Sequence, residues 1–341
     1  MPETQVANPA KVPTSDTTTS LRYIQAVQHA LRWALTERED TILFGEDIAL
    51  PGGPFGATKG LHKEFGSERI FDTPISESGF LGMALGAAMT GLRPIAEIMY
   101  ADFLFVAMDQ VVNQIANVRY VTRGSWTAPL VIRTQQGYSP GACAQHSKSI
   151  ESYLVHTPGI RVAVPSTPDD AYQMLRTAVD CPDPVFVVEA RMLYPSRGDV
   201  RLGADVEPLG GARIVRPGTD VTVVSWSRSV GLGLEAAGSL AEEGISVEVI
   251  DMRWLNPLDI SAVTTSVERT RRLVVVQEAN LTGGVGSEIA ARVGEACFGS
   301  LAAPVRRIGM PDLPMPAAPI LQDALLPTAQ TVVDAVREMV R

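Results

Sequence analysis

The sequence predicts an α/β protein of two doubly wound, three-layer domains, each a parallel sheet covered by helices on both faces. Three observations carry this. Short Val/Ile-rich runs alternate with stretches of helical periodicity. The runs are apolar at consecutive positions, the pattern of strands buried on both faces. The alternation halts once, at a polar stretch rich in Gly and Pro (PSRGDVRLGADVEPLGG), and then resumes. At 341 residues the chain can bury two ordinary cores.

Residues 1–19 are rich in Pro, Thr and small polar residues and read as a disordered tail. Leu21, Ile24, Val27, Leu31 and Leu35 fall at helical spacing, which predicts a helix over 20–38 with Ser20 as N-cap. TILFGED is a strand ending in acids, and 129–134, 161–166 and 184–190 are further strands. Thr167 and Pro168, good cap and first-turn residues, open a helix between the last two. The first domain is placed at 20–195, a linker at 196–210 and the second domain at 211–341. The second domain repeats the alternation, with strands at 221–227, 246–252 and 272–279 and helices at 229–243, 257–270, 285–297 and 328–340.

Composition excludes several classes. Lys+Arg is 29 against 38 for Asp+Glu, a net charge of −9, which argues against a general binder of nucleic acid or anionic membrane. Cys143, Cys181 and Cys297 are far apart and form no CxxC pair, as expected in a reducing, cytoplasmic setting. The four histidines show no metal-ligand spacing such as HExxH. The most apolar stretch, Gly79 to Leu92, is too short to span a bilayer and is followed by Arg93, Pro94 and Glu97. The N-terminus lacks a charged-then-apolar signal.

The richest segment for chemistry surrounds PISES, a Pro-bearing turn that delivers Glu77 to the start of a helix running through Met89. Ser76 or Ser78 can cap that helix, and Gly82 and Gly86 would let another helix approach closely. Taken alone, Glu77 reads as an acid stabilised by a helix N-terminus. Glu46 closes the first strand and reads as a solvated acid or loop cap, Phe103 as a core aromatic, and His146 as a hydrogen-bonded loop residue. GGVGSE (283–288) is a helix-start turn, since Ile289 takes the place of a third glycine and no dinucleotide fingerprint results.

Several long motifs in order change these readings: GED (45–47), DTPISE (72–77), GAAMTGLRPIAEIMYADF (86–103), AQHSKS (144–149), HTPGIRVAVPSTPDDA (156–171) and VTVVSWSRSVG (221–231). Over about residues 20–341 the chain resembles the β subunit of the thiamine-diphosphate-dependent decarboxylase component of 2-oxo-acid dehydrogenase complexes, the group of pyruvate, branched-chain 2-oxo-acid and acetoin enzymes. The resemblance implies a transketolase-like pyrimidine-binding domain followed by a transketolase C-terminal-like domain.

It also implies roles. Glu77 would hydrogen-bond N1′ of the cofactor's aminopyrimidine and favour the imino tautomer, whose 4′ nitrogen can then take the thiazolium C2 proton. Glu46 would lie in a polar tunnel linking paired active sites, where like charges shift each other's titration. Phe103 and Ile75 would hold the pyrimidine. His146 would stand at the substrate end, donating to the substrate carboxylate or the dihydrolipoyl intermediate, although the flanking RTQQGYSPGACA departs from the commoner glycine-rich loop. A monovalent cation, K+, would be held by backbone carbonyls of Leu130, Ala178, Cys181 and Asp183. Carbonyls carry no side-chain signature, so a helix end with satisfied carbonyls reads the same.

The metal-binding GDG motif of thiamine diphosphate enzymes is missing; the lone GD is Gly198-Asp199, in the linker, followed by Val200. A diphosphate needs a metal or cationic clamp. The resemblance therefore implies that an α subunit supplies Mg2+ and the diphosphate pocket in an α2β2 heterotetramer. The second domain would pack the dimer and help dock a lipoyl acyltransferase core, with PDLPMP (311–316) on that surface. The substrate would be a 2-oxo acid. An acetoin-cleaving or carboligase enzyme on the same subunit plan, and a non-catalytic structural partner, are the competing readings.

Overall fold

The computed structural model describes residues 17–341. It divides into two compact units. The first comprises residues 17–135, 157–189 and 193–209, and the second 136–156, 190–192 and 210–341. The segments 136–156 and 190–192, expected within the first domain, thus cluster with the second.

In the first unit the strands run in the order Arg161–Ala163, Val185–Ala190, Val131–Gln136, Arg93–Ile98, Thr41–Gly45, Ile70–Asp72. The 41–45 strand pairs in parallel with both 93–98 and 70–72, and 93–98 with 131–136. Strands 131–136 (VIRTQQ) and 185–190 (VFVVEA) are buried at every position, their polar side chains included. Helices Tyr23–Glu37 and Pro168–Asp180 pack together, burying Ala26, Ala30 and Ala34 of the first and Ala171, Leu175 and Ala178 of the second. Thr167 caps the second helix, its hydroxyl accepting from the Asp170 N–H at 3.1 Å, and Pro168 opens the first turn as expected.

Gly45 marks the tightest approach in this sheet. A Cβ there would sit 2.5 Å from the Glu97 carbonyl oxygen on the neighbouring strand. Gly45→Ala is expected to force the two strands apart, costing about 1–3 kcal/mol by overpacking. Thermal unfolding checks this, and an unchanged midpoint would show that the backbone can yield freely.

The second unit is a sheet in the order Arg306–Met310, Leu273–Asn280, Val221–Ser225, Val247–Asp251, Arg213–Arg216, with the last strand antiparallel. Side chains alternate between faces. Val221, Val223, Val247, Val249, Val274 and Val276 form a core with helices Ser229–Glu242 and Ala329–Val340. On the other face Thr222 hydrogen-bonds Ser266 and Thr270 of helix Ile260–Thr270, which packs on helix Val285–Ala296.

Four local expectations are corrected. Residues 17–22 form a strand paired antiparallel with 197–202, so Ser20 faces Asp199 and does not cap a helix. The three threonines of TTTSLR favour extended backbone, and the helix begins at Tyr23. Consequently residues 17–19 of the expected tail are ordered strand, and residues 1–16 lie outside the described residues. The expected linker likewise contributes the 197–202 strand, whose Val200 and Leu202 are buried. Ser76 takes the N-cap position of helix Glu77–Met89 as expected, but its side chain makes no cap hydrogen bond, and the Ser78 hydroxyl donates to the Val106 carbonyl. Finally, Gly82 of that helix lies close under Gln110, whereas Gly86 faces open space, so only one of the two glycines serves a close approach.

Candidate active site

Three parallel strands of the first unit end side by side, and ligands of open α/β sheets gather beyond such ends. Glu46 follows the 41–45 strand directly. Glu77 begins the helix after the 70–72 strand. Tyr100 and Phe103 follow the 93–98 strand. Between Glu46 and Thr58 the chain folds back on itself: Asp47 takes a left-handed conformation (φ 56°), its carbonyl accepts from Gly53, and the Thr58 hydroxyl donates to Ile48. The Asp72 carboxylate receives the Ala49 N–H at 2.7 Å, which ties this loop to the neighbouring strand end.

Glu46 and Glu77 are both nearly buried, at 9% and 7% exposure. Burial pushes the Glu46 carboxyl above its ordinary range, and the nearby charges of Glu77 and Asp47 push it further. Oε1 of Glu46 is buried without a hydrogen-bond partner. A carboxyl with a raised pKa makes its full contribution to stability below its ordinary value of 4.5, and that contribution is lost as pH rises through the raised one. Glu46→Gln is therefore expected to unfold at a higher temperature than the parent at neutral pH, with the gap closing below the ordinary value. A gap that ignores pH would remove this account.

Phe103 is half-buried, edge-on to Tyr100 at 5.5 Å, and Tyr100 meets Phe55 at 5.7 Å. Ile75, two residues before Glu77, is 84% exposed, and Val106, whose carbonyl accepts from the Ser78 hydroxyl, is 64% exposed. Glu77, Glu46, Phe103 and Ile75 thus all belong to one end of the first unit. The donor set fits an aminopyrimidine: a carboxyl pair for a protonatable ring nitrogen, an unsatisfied carboxyl oxygen, and aromatic and aliphatic surface for the ring.

Beneath these groups lies a network that reading the sequence missed. Arg133 is fully buried, with Nη1 at 2.5 Å from Glu97 and Nε at 2.9 Å from Glu189. The Tyr194 hydroxyl donates to Glu189 at 2.8 Å. Burial opposes the Arg133 cation, but the two carboxylates prevail and hold it charged. Burial raises the Glu97 carboxyl, with Arg133 pulling it back. The available signal was a charge within each apolar run, RPIAEI, LVIRT and VFVVEA, because charges buried in a sheet must be paired.

His146 belongs to the second unit, half-buried in the loop 137–149. Its carbonyl accepts from the Arg191 guanidinium. The residues expected to hold a monovalent cation lie in the first unit. There the Leu130 carbonyl accepts from Val185, the Ala178 carbonyl from Cys181, and the Cys181 carbonyl from Arg93 at 3.4 Å. The Asp183 side chain pairs with Arg119 and Arg161. No helix among the described residues is long and apolar enough to cross a membrane.

The transketolase pyrimidine-binding domain model matches residues 19–197, and the transketolase C-terminal domain model matches 210–332. The chain belongs to the transketolase-like family of β subunits of 2-oxo-acid dehydrogenase E1 components. It is 42% identical to the acetoin:2,6-dichlorophenolindophenol oxidoreductase subunit beta of Bacillus subtilis (strain 168), over 92% of this chain and 95% of that protein. It is 43% identical to the pyruvate dehydrogenase E1 component subunit beta of Leifsonia xyli subsp. xyli, over 93% and 94%. It is 42% identical to the 3-methyl-2-oxobutanoate dehydrogenase subunit beta of Mycobacterium tuberculosis, over 97% and 95%. Among solved structures, a split-gene transketolase, an inactive beta4 tetramer, shares the fold with a TM-score of 0.76 at 24% identity, over 94% of this chain and 98% of that one.

Proposed function

We propose that this chain is the β half of a thiamine-diphosphate-dependent enzyme that decarboxylates a 2-oxo acid and passes the acyl group to a lipoyl arm, in the cytoplasm, as an α2β2 heterotetramer with an α subunit. The observation that carries the reading is the nearly buried carboxyl pair Glu46 and Glu77 beyond the strand ends, with Glu46 Oε1 left unsatisfied. When bound, thiamine diphosphate supplies the carbanion chemistry at its thiazolium C2. Glu77 holds a proton at the aminopyrimidine N1′, its side chain oriented by the first turn of its helix. Glu46, whose raised pKa keeps its proton available nearer neutral pH, feeds and withdraws that proton. Phe103 and Ile75 offer apolar surface to the pyrimidine and exclude water from it. His146 donates to the substrate carboxylate. Mg2+ and the diphosphate fall to the α subunit. K+ falls to the carbonyls of Leu130, Ala178, Cys181 and Asp183, since a carbonyl oxygen has a second lone pair beyond the bonds described above. A lipoyl acyltransferase core is the acyl acceptor's carrier.

The relatives' names leave acetoin as a second substrate class. Co-expression with the α subunit, followed by assay on pyruvate, 3-methyl-2-oxobutanoate and acetoin with dichlorophenolindophenol as electron acceptor, decides among them. Turnover of one 2-oxo acid with CO2 release is the expected result. Turnover of acetoin alone would move the assignment to acetoin cleavage. A complex that binds thiamine diphosphate yet turns over none of them would leave the structural-partner reading.

A further inference from the structure

The loop 137–149, which carries His146, is fastened within the second unit by groups that the proposed mechanism does not use. At its start, Glu278 Oε1 accepts the Tyr138 N–H at 2.6 Å, and Arg228 Nη1 stands 3.2 Å from Glu278 Oε2. Gly137 is left-handed (φ 80°), and a Cβ there would run into Glu278 Oε1, so the missing side chain is what admits the carboxylate. Arg191 Nη2 donates to the Gly137 carbonyl at 2.5 Å and also to that of His146, and Gly137 N–H donates to Lys148 at 3.2 Å. Tyr138 itself packs with Met310, Met315 and Leu326. Glu278 lies on the 273–280 strand, a rigid support, whereas the loop has no secondary structure of its own.

We propose that Glu278 is a positioning residue for the reaction: by gripping the Tyr138 amide against Gly137, it sets the path of the loop and hence the place of the His146 imidazole. This rests on the substrate-side reading of His146. A carboxylate bonded to a backbone N–H and paired with arginine is a strong, directional tie. Removing it leaves the Tyr138 N–H unpaired and Arg228 without its counter-charge, which loosens the loop at its foot.

The loop contains its own reporter. Cys143 is half-buried in it, while Cys181 and Cys297 are buried elsewhere. In the α2β2 enzyme, iodoacetamide labelling read by peptide mass spectrometry measures opening at Cys143 alone. Glu278→Ala is expected to speed Cys143 labelling by about tenfold, with Cys181 and Cys297 unchanged. The same variant should lower kcat/KM for the 2-oxo acid in use and shift its pH profile, with thiamine diphosphate affinity unaltered. Glu278→Gln, which keeps an acceptor for Tyr138 but not the charge, should fall between, and it carries the test if the alanine variant does not fold. Unchanged labelling in the folded variants would overturn the proposal, as would faster labelling with kcat/KM intact. His146→Ala tests the underlying reading separately. Full turnover there removes the role of His146, while Cys143 still reports whether Glu278 holds the loop.

Discussion

Glu77→Gln is expected to lower kcat of the α2β2 enzyme by about 10²–10⁴, the usual worth of a positioned acid–base group. The amide fits the same space at the helix start but cannot share a proton with a ring nitrogen. Its structural cost is small. Loss of a carboxylate beside a helix N-terminus costs about 0.3–1 kcal/mol, offset by relief of its repulsion with Glu46. Thermal unfolding and thiamine diphosphate titration should therefore stay close to the parent while turnover collapses. Glu77→Asp, acidic but shorter, should retain more activity than the amide. Turnover within a few-fold of the parent in Glu77→Gln would remove the residue from the chemistry.

The largest stability effect is expected at Arg133. Arg133→Met removes the one cation between Glu97 and Glu189, both of which are almost wholly buried. Breaking a buried ion pair by deleting one partner costs about 3–5 kcal/mol, because the charge left behind has no solvent. For a unit of this size that is a fall of roughly 6–20 °C in unfolding midpoint. The deficit should shrink as pH falls, since burial already raises the Glu97 carboxyl and protonation relieves the stranded charge. Replacing all three residues with apolar ones of similar volume should recover much of the loss. Scanning calorimetry on the single and triple variants checks both statements. A single variant as stable as the parent would show that water reaches the network.

The α/β plan and the order of its elements were legible because buried parallel strands write themselves as Val/Ile runs. The 221–227 and 246–252 runs, for instance, contain the observed strands 221–225 and 247–251. Thr167 and Pro168 announced their helix for the same reason, a cap being a local bond between neighbours. Glu77 was legible as a helix-start acid, and its motif is what points to the role proposed for it. What escaped depended on partners distant in sequence. The threonines of TTTSLR lean toward extended backbone, but the strand that pairs with it, 197–202, lies almost 180 residues away and left no local signal. The Arg133 network joins residues 36 and 56 positions apart, and neither separation has a periodicity to betray it. Edge strands such as 213–216 and 306–310 are partly exposed and lack the apolar run that marks a central strand.

The interleaving of the two units in the chain has a consequence for synthesis. The segment 136–156 belongs with residues beyond 210, yet it leaves the ribosome long before them. Glu151 waits for Trp226, 75 residues downstream, and Tyr138 for Glu278, 140 residues downstream. Until those arrive, this stretch is translated without its packing partners and is open to proteases and to holding chaperones. A nascent chain halted at residue 209 should therefore remain sensitive to cleavage around the His146 loop even where its first sheet has already closed.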